Sequence, residues 1–579
     1  MAKNYKLLIF SGLSGIILAL SFPGWNFNFS FLVWIGFVPL FYSLNKGSRP
    51  FLIGFVAGLI YFLIVFRWLW SIYPLDTFGI QNKFASLVVV FLIYIISSAG
   101  MAVFWGLFGS VYSLAYSAEA ASATKAGQFT VFRKIGSKLS TASQYLIIPA
   151  IFILLEYARA YGFGFLWAGS GTLFGPHWTM GNLAYALASN NLALKLSSFV
   201  GIYGISFLII VVNFLFFKLL SAPKTQITRM TLVVAKNLQS AGIVILIILL
   251  ISLGPKLLKQ KSPPPDKEIN FALIQTNQPT KISPTPKEIL DAFKEQLDLL
   301  NRVAKEHPES QLIVFPEASD FFKNLSLFLT SSQIPNYFSN LFKEPKLIVA
   351  GARIIDTDDR AYSRVFALDT KKDIIGFYDK RLLTPEGEFL SYPTRFIVNL
   401  LSKTKISEFG ELRELGVGDK RVSTVNFRGQ FSIAPIVCSE LLAPDLVRKT
   451  TLGSDIIVEM ASYGVFHGST VLIKQNLAIA RFRAAENQKP LLAASNMGLS
   501  YAIDSRGNVA FRTQNQGAQI LTGGIALNSQ ESWYNKVGDL PTILASLALV
   551  AVFSLQLTVY RKIKTWLWRP KQSNNVNNL

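Results

Sequence analysis

One cysteine, three histidines and a marked shortage of acids outside residues 256–540 set the first bounds on this 579-residue chain. The single cysteine, Cys438, excludes an intrachain disulfide, so cysteine usage does not report the redox compartment. His177, His307 and His467 are far apart and lack ligand spacing, so no metal site is expected. No glycine-rich motif of the kind that cradles phosphates occurs, and no cofactor is called for. No internal repeat is apparent. Residues 1–255 and 541–579 contain only Asp76, Glu119 and Glu156 against 21 Lys and Arg, a net charge of +18. Residues 256–540 carry 35 Lys and Arg against 31 Asp and Glu, a net of +4. The total of +22 is therefore mostly a property of loops between apolar segments, which argues against nucleic acid as a partner.

What the chain has in abundance is apolar sequence. Its mean hydropathy of +0.38 and 51% hydrophobic content exceed those of an ordinary soluble protein. Runs long enough to cross a bilayer lie near residues 7–22, 30–45, 51–70, 86–116, 145–161, 196–220 and 238–255, and an eighth runs from Pro541 to about Tyr560. No small-residue cleavage site follows the first run, so it reads as a retained span rather than a signal peptide. With the N-terminus cytoplasmic, 17 basic residues fall on the inner side and only Arg67, Lys83, Arg159 and Lys195 on the other. That bias commits the chain to an N-in orientation. Three parts follow: a seven-helix membrane domain (1–255), an extracytoplasmic globular domain (256–540), and a last helix with a basic cytoplasmic tail (541–579). The stretch Gly162–Trp167 reads as an interfacial aromatic belt, with a lipid-facing floor beneath the globular domain as the alternative. Glu156 and Arg159, three apart at one helix end, read as a local ion pair.

After the stiff linker Lys261–Asp266, short β-type runs alternate with helical patterns. Strands are expected at Ile269–Gln275, Leu312–Phe315, Lys346–Ala350, Val365–Leu368, Ile374–Tyr378, Phe431–Val437, Asp455–Glu459, Leu491–Ser495, Tyr501–Asp504 and Ile520–Ala526, and helices at Pro286–Glu306 and Val471–Asn487. Three of these strands end on chemistry. Glu317 follows Val314-Phe315-Pro316, Lys380 follows Tyr378-Asp379, and Cys438 closes Ile433–Val437. A lone cysteine is more often a small buried hydrophobe than a nucleophile. Beside a carboxylate and an ammonium, each at a strand end, it becomes a plausible nucleophile. A thiol attacks a carbonyl as thiolate, so Cys438 needs the base that Glu317 offers and the cation that Lys380 offers.

These three stretches resemble the nitrilase superfamily, whose members share a Glu–Lys–Cys triad on an α-β-β-α sandwich. With seven spans before the domain and one after, the whole chain is similar to the apolipoprotein N-acyltransferase family. Gln475-x6-Arg481-x-Arg483-Ala484-x-Glu486 and Pro490-Leu491-Leu492-x2-Ser495-Asn496-x-Gly498 match that family's helix and following strand. The resemblance implies that Glu317 is the base, Lys380 the oxyanion and thiolate stabiliser, and Cys438 the nucleophile. Glu388 and Glu440 would be carboxylates that orient them, with Ser439 beside the substrate. It further implies a phospholipid acyl donor, diacylated bacterial lipoproteins as acceptors, and a place in the bacterial inner membrane. A membrane-anchored amidase acting on a small amide is the alternative. The chain departs from the family pattern at Ser439, where a tyrosine is usual, and in Ser462–Gly468, where Asn-Asp-x-Trp-Phe-Gly is usual. A tryptophan expected soon after the first strand is not found in Pro279–Pro286. Between Phe389 and Gly418, Phe389, Phe396, Ile397, Leu400 and Leu401 suggest a surface helix, or an amphipathic lid that touches lipid.

Overall fold

The computed structural model describes residues 2–78, 80–124, 130–169, 177–221, 267–281, 284–317, 319–330, 332–401, 414–419, 424–514 and 516–567. Its first part is helical: α1 (Ala2–Ser21), a 3-10 turn at Ser30–Trp34, α2 (Val38–Lys46), α3 (Pro50–Val65), α4 (Lys83–Thr124), α5 (Thr130–Leu166) and α6 (Asn191–Leu220). Four segments are long and apolar enough to cross a membrane: Pro50–Ile72, Lys83–Ala115, Gln144–Leu166 and Asn191–Leu220. Tyr5–Ser21 and Leu540–Leu555 are apolar but shorter. Among the described residues, then, the eight spans expected from the sequence are not reached. The run at 30–45 is broken into a 3-10 turn and a nine-residue α-helix, because Pro39 enforces a fresh start at α2. That helix rises only about 13 Å, less than half of a hydrocarbon core about 30 Å thick. The expected span at 238–255 and the linker lie outside the described residues.

Small residues set the bundle's closest approach. A Cβ at Gly54 would stand 2.1 Å from the carbonyl oxygen of Trp105, and one at Gly58 2.8 Å from its Cβ. Glycine thus lets α3 lie flush on α4, as bilayer helices require when packing rather than water drives association. Glu156 and Arg159 do not make the direct pair expected of them. Glu156 accepts the Leu183 N–H at 2.9 Å, while Arg159 donates to the Met180 carbonyl at 3.0 Å and to Asn182. Both fasten the segment between α5 and α6.

The second part has strands β1 (Glu268–Gln275), β2 (Leu312–Val314), β3 (Leu347–Ile355), β4 (Ala361–Asp369), β5 (Ile374–Asp379), β6 (Val425–Phe427), β7 (Phe431–Val437), β8 (Ile456–Ser462), β9 (Leu491–Asn496), β10 (Tyr501–Ile503), β11 (Val509–Arg512) and β12 (Gln519–Ala526). Its helices are α7 (Pro286–Glu306), α8 (Phe321–Leu325), α9 (Ile334–Leu341), α10 (Tyr392–Leu401), α11 (Pro444–Thr451), α12 (Thr470–Asn487) and α13 (Trp533–Val537), and α14 (Leu540–Leu567) follows. The strands form two six-stranded sheets, ordered β12-β1-β2-β3-β4-β5 and β11-β10-β9-β8-β7-β6. All ten expected strands are present, and β6 and β11 are added at sheet edges.

Strand alternation builds the layers. Phe271 and Leu273 face the other sheet, whereas Ala272 and Ile274 face α7, α8 and α9. On the second sheet Ile433 and Val437 face inward, while Ile436, Ile457 and Ala461 join α12 and the membrane helices in one continuous core. Helix α12 is therefore covered on both sides. Thirteen of its 18 residues are buried, so its sequence shows little of the amphipathic pattern of a surface helix. Polar ties reinforce this seam. Arg483 pairs with Glu486 and reaches the Tyr185 hydroxyl at 2.6 Å, and Glu486 accepts the Ile202 N–H at 3.0 Å.

Candidate active site

The C-terminal ends of parallel strands point to one place. β1, β2 and β3 run parallel in the first sheet, and β7, β8 and β9 in the second. Loops leaving such ends are free of ladder hydrogen bonds and can carry chemistry. β2 delivers Glu317, β5 delivers Lys380, and β7 delivers Cys438. All three residues anticipated as the core of the site come together there. Lys380 Nζ lies 2.9 Å from Glu317 Oε1 and 2.8 Å from Glu388 Oε1, and its side chain is only 2% exposed. Glu317 and the Ser462 backbone both lie beside Cys438.

The turn at Cys438 is strained and locked. Cys438 has φ +46°, a left-handed conformation that costs a residue with a Cβ roughly 1–3 kcal/mol. Glu440, fully buried, holds it. One carboxylate oxygen accepts the Val437 N–H at 2.8 Å, and the other accepts the Tyr378 hydroxyl and the Arg381 N–H, each at 2.7 Å. It thus ties the Cys438 turn to the strand that carries Lys380. The Ser439 hydroxyl donates to the Leu382 carbonyl at 2.5 Å, a second strap between the same loops, and Ser439 also lines the cavity. Glu388 touches Lys380 directly and is fixed by the Thr384 N–H at 2.7 Å.

Charge follows from this geometry. Burial disfavours the Lys380 ammonium, but Glu317 and Glu388 outweigh it and hold its pKa well above that of an ordinary lysine. Burial pushes the Glu317 carboxyl up, against the pull of Lys380, which makes it a better proton acceptor than a surface glutamate. The Cys438 thiol is also pushed up, by burial and by Glu317, so it rests protonated.

Cys438 opens into a cavity of about 720 Å³, mouth included. Its catalytic-domain wall includes Thr384, Ser439, Tyr463, Phe466 and Asn476. The opposite wall comes from the membrane domain, chiefly Phe66, Trp68, Leu69, Phe163, Trp178 and Met180. Phe163 therefore belongs to a floor beneath the globular domain, whereas Phe165 in the same stretch is exposed. Trp68 meets Phe466 edge-on at 5.4 Å, and the adjacent His467 bonds the Ser71 carbonyl through Nδ1 at 2.6 Å. Of this wall only the Gly162–Trp167 stretch was anticipated, as the alternative of a floor, because Phe66–Ile72 merely continues an apolar run.

A sandwich of two sheets between helical layers, with a buried Glu, Lys and Cys at converging strand ends, defines a nitrilase-type domain, here seated on a helical bundle. Residues 270–535 match the family model described as Carbon-nitrogen hydrolase, and residues 14–215 match that described as Apolipoprotein N-acyltransferase N-terminal domain. A relative from Geobacter metallireducens named apolipoprotein N-acyltransferase is 27% identical over 551 residues, covering 93% of this chain and 92% of its own. A relative of the same name from Photobacterium profundum is 24% identical over 553 residues, covering 92% of each. Among solved structures, a carbon-nitrogen hydrolase from Helicobacter pylori G27 covers 48% of this chain and 95% of its own, at 16% identity and a TM-score of 0.35. The chain belongs to the apolipoprotein N-acyltransferase family of the nitrilase superfamily.

Proposed function

We propose that this membrane acyltransferase moves an acyl chain from a phospholipid, through a thioester on Cys438, to the N-terminal amine of diacylglyceryl-cysteine lipoproteins. The observation that carries the reading is the cavity at Cys438, whose apolar wall is supplied by the membrane domain. A small water-soluble amide has no use for such a wall, whereas a fatty acyl chain needs one.

In the first half-reaction Glu317 takes the thiol proton as Cys438 Sγ attacks the ester carbonyl. Lys380 and backbone N–H groups beside Cys438 balance the oxyanion. Collapse breaks the ester bond, and the lysophospholipid leaves with the proton from Glu317. In the second half-reaction the lipoprotein amine attacks the thioester carbonyl and loses a proton to Glu317. The C–S bond then breaks, and the departing thiolate recovers that proton. No cofactor enters either half. Incubation of the purified protein with phospholipid and a diacylated lipopeptide is expected to yield the triacylated product. Release of free fatty acid alone, or cleavage of small amides instead, would favour the amidase.

Counted over the eight apolar runs expected from the sequence, the 17-to-4 distribution of basic residues supports an inner-membrane protein with both termini cytoplasmic and residues 256–540 outside. Lys305, exposed on α7, offers a test. Lys305→Cys in a Cys438→Ala background is expected to react with a membrane-impermeant maleimide in intact spheroplasts. Reaction only after permeabilisation would reverse the orientation.

A further inference from the structure

Glu386 lies two residues before Glu388 in the loop that grips Lys380, and it is built at a cost. It has φ +63°, a left-handed conformation that residues with a side chain rarely adopt. Its carboxyl is turned inward, where burial raises its proton affinity. There Oε1 accepts from the Ser391 hydroxyl, and from the Thr394 hydroxyl at 2.8 Å. Ser391 is itself the cap of α10: its Oγ accepts the Thr394 N–H at 3.3 Å and its carbonyl accepts the Arg395 N–H at 2.9 Å. Glu386 does not line the cavity at Cys438.

The loop transmits this hold in both directions. The Glu386 N–H donates to the Phe389 carbonyl at 2.8 Å, and the Glu388 N–H donates to the Thr384 carbonyl at 2.9 Å. Glu388 then spans from the Thr384 N–H to Lys380 Nζ. At the far end, α10 rests on the membrane domain. The Tyr392 N–H donates to the Ala168 carbonyl at 2.7 Å, and the Phe389 ring lies where a Cβ on Gly169 would be only 2.4 Å away. The same helix leaves Tyr392 and Phe396 exposed.

We propose that Glu386 is a positioning residue that ties the seating of α10 on the membrane domain to the placement of Lys380, acting through Glu388. A direct lipid contact would not need a half-buried carboxyl facing two hydroxyls, and a surface loop would not need a left-handed glutamate. Because both donors are hydroxyls, the side chain has only to accept, so a glutamine does the same work.

This inference rests on Lys380 and Cys438 acting as proposed above, so the test starts from that reading. Full-length protein is mixed with phospholipid, or with a short soluble ester, and the rate of acyl loading is followed by intact-protein mass spectrometry. If the wild type loads no acyl chain, or Cys438→Ala loads as well as the wild type, the reading of the site fails. Given loading confined to Cys438, Glu386→Ala is expected to slow it about 10-fold on both donors, the scale of a slightly misplaced catalytic group. Glu386→Gln should restore most of the rate. Thr394→Val, which removes one of the two donors and leaves the loop sequence intact, should lower the rate in the same direction if Glu386→Ala fails to fold. In a Glu388→Gln background, Glu386→Ala should add less than about a twofold loss, since its route to Lys380 is already cut. A full additional loss in that background, a loss confined to the phospholipid, or wild-type rates for both Glu386→Ala and Thr394→Val would overturn the coupling.

Discussion

Incubated with phospholipid and no acceptor, the wild-type protein is expected to gain the mass of one fatty acyl chain, and Cys438→Ala to gain nothing and make no triacylated product. Two substrates that use one nucleophile in turn require a covalent intermediate that outlives the departure of the first product. The surroundings of Cys438 suit such an intermediate. Burial and Glu317 hold the free thiol protonated, so the ground state is not a reactive thiolate exposed to adventitious electrophiles. Once acylated, the sulfur carries no proton and no charge, and the apolar wall of Phe66, Leu69 and Phe163 keeps water scarce around the carbonyl. The adduct should be released by neutral hydroxylamine, which cleaves thioesters, and should discharge to an N-acyl product when a diacylated lipopeptide is added. An adduct that survives hydroxylamine, or one that forms equally on Cys438→Ala, would place the acyl group elsewhere. Folding of the variant is expected to survive, because the lost atom is a single sulfur beside an open cavity.

The parts of this molecule that were legible in the sequence are those set by local pattern. β7 runs over Phe431–Val437, as its apolar residues suggested, and α7 begins at Pro286 because Thr285 and Glu288 form a capping box with bonds of 3.3 and 2.9 Å. Strand ends were legible too, which is why Glu317, Lys380 and Cys438 could be grouped from the sequence alone. The role of Glu440 was only half visible. Its place beside the site was expected, but not that it bonds the backbone of Val437 and Arg381. The edge strand β11 was missed because Val509–Arg512 is short and largely exposed, with no alternation to reveal it. At residues 30–45 the apolar run is one stretch in the sequence but a 3-10 turn and a nine-residue helix in the fold. The cavity wall was legible only where Gly162–Trp167 could be read as a floor. Trp68 and Phe163 lie 370 and 275 residues from Cys438, and nothing local to either marks the side that faces it. Only the packing of α12 between sheet and bundle brings them together.

The second large effect is expected at Lys380. Lys380→Met should lower acyl loading of Cys438 by at least about 10²-fold, the scale of a lost oxyanion donor, and Glu317→Gln should do the same through loss of the proton acceptor. The two variants should differ in stability. In the wild type one ammonium stands between two carboxylates at 2.9 and 2.8 Å, and its charge is retained because their attraction exceeds the penalty of burial. Methionine leaves Glu317 and Glu388 facing each other with no cation between them. Burial already raises the Glu317 pKa, and removing the opposing pull of Lys380 raises it further. A carboxyl whose folded pKa lies above its unfolded value of about 4.3 is most favourable below that value, and its contribution is lost as pH rises through the folded pKa. Relative to wild type, Lys380→Met should therefore be least destabilised near pH 5 and more so toward pH 8, as a falling melting temperature in a pH series would report. Glu317→Gln removes one of the two carboxylates and should show the weaker trend. Loading by Lys380→Met within a few fold of wild type would remove the lysine from the mechanism. A melting temperature for that variant that rises with pH relative to wild type would mean that the two carboxylates do not share the buried site on which the mechanism depends.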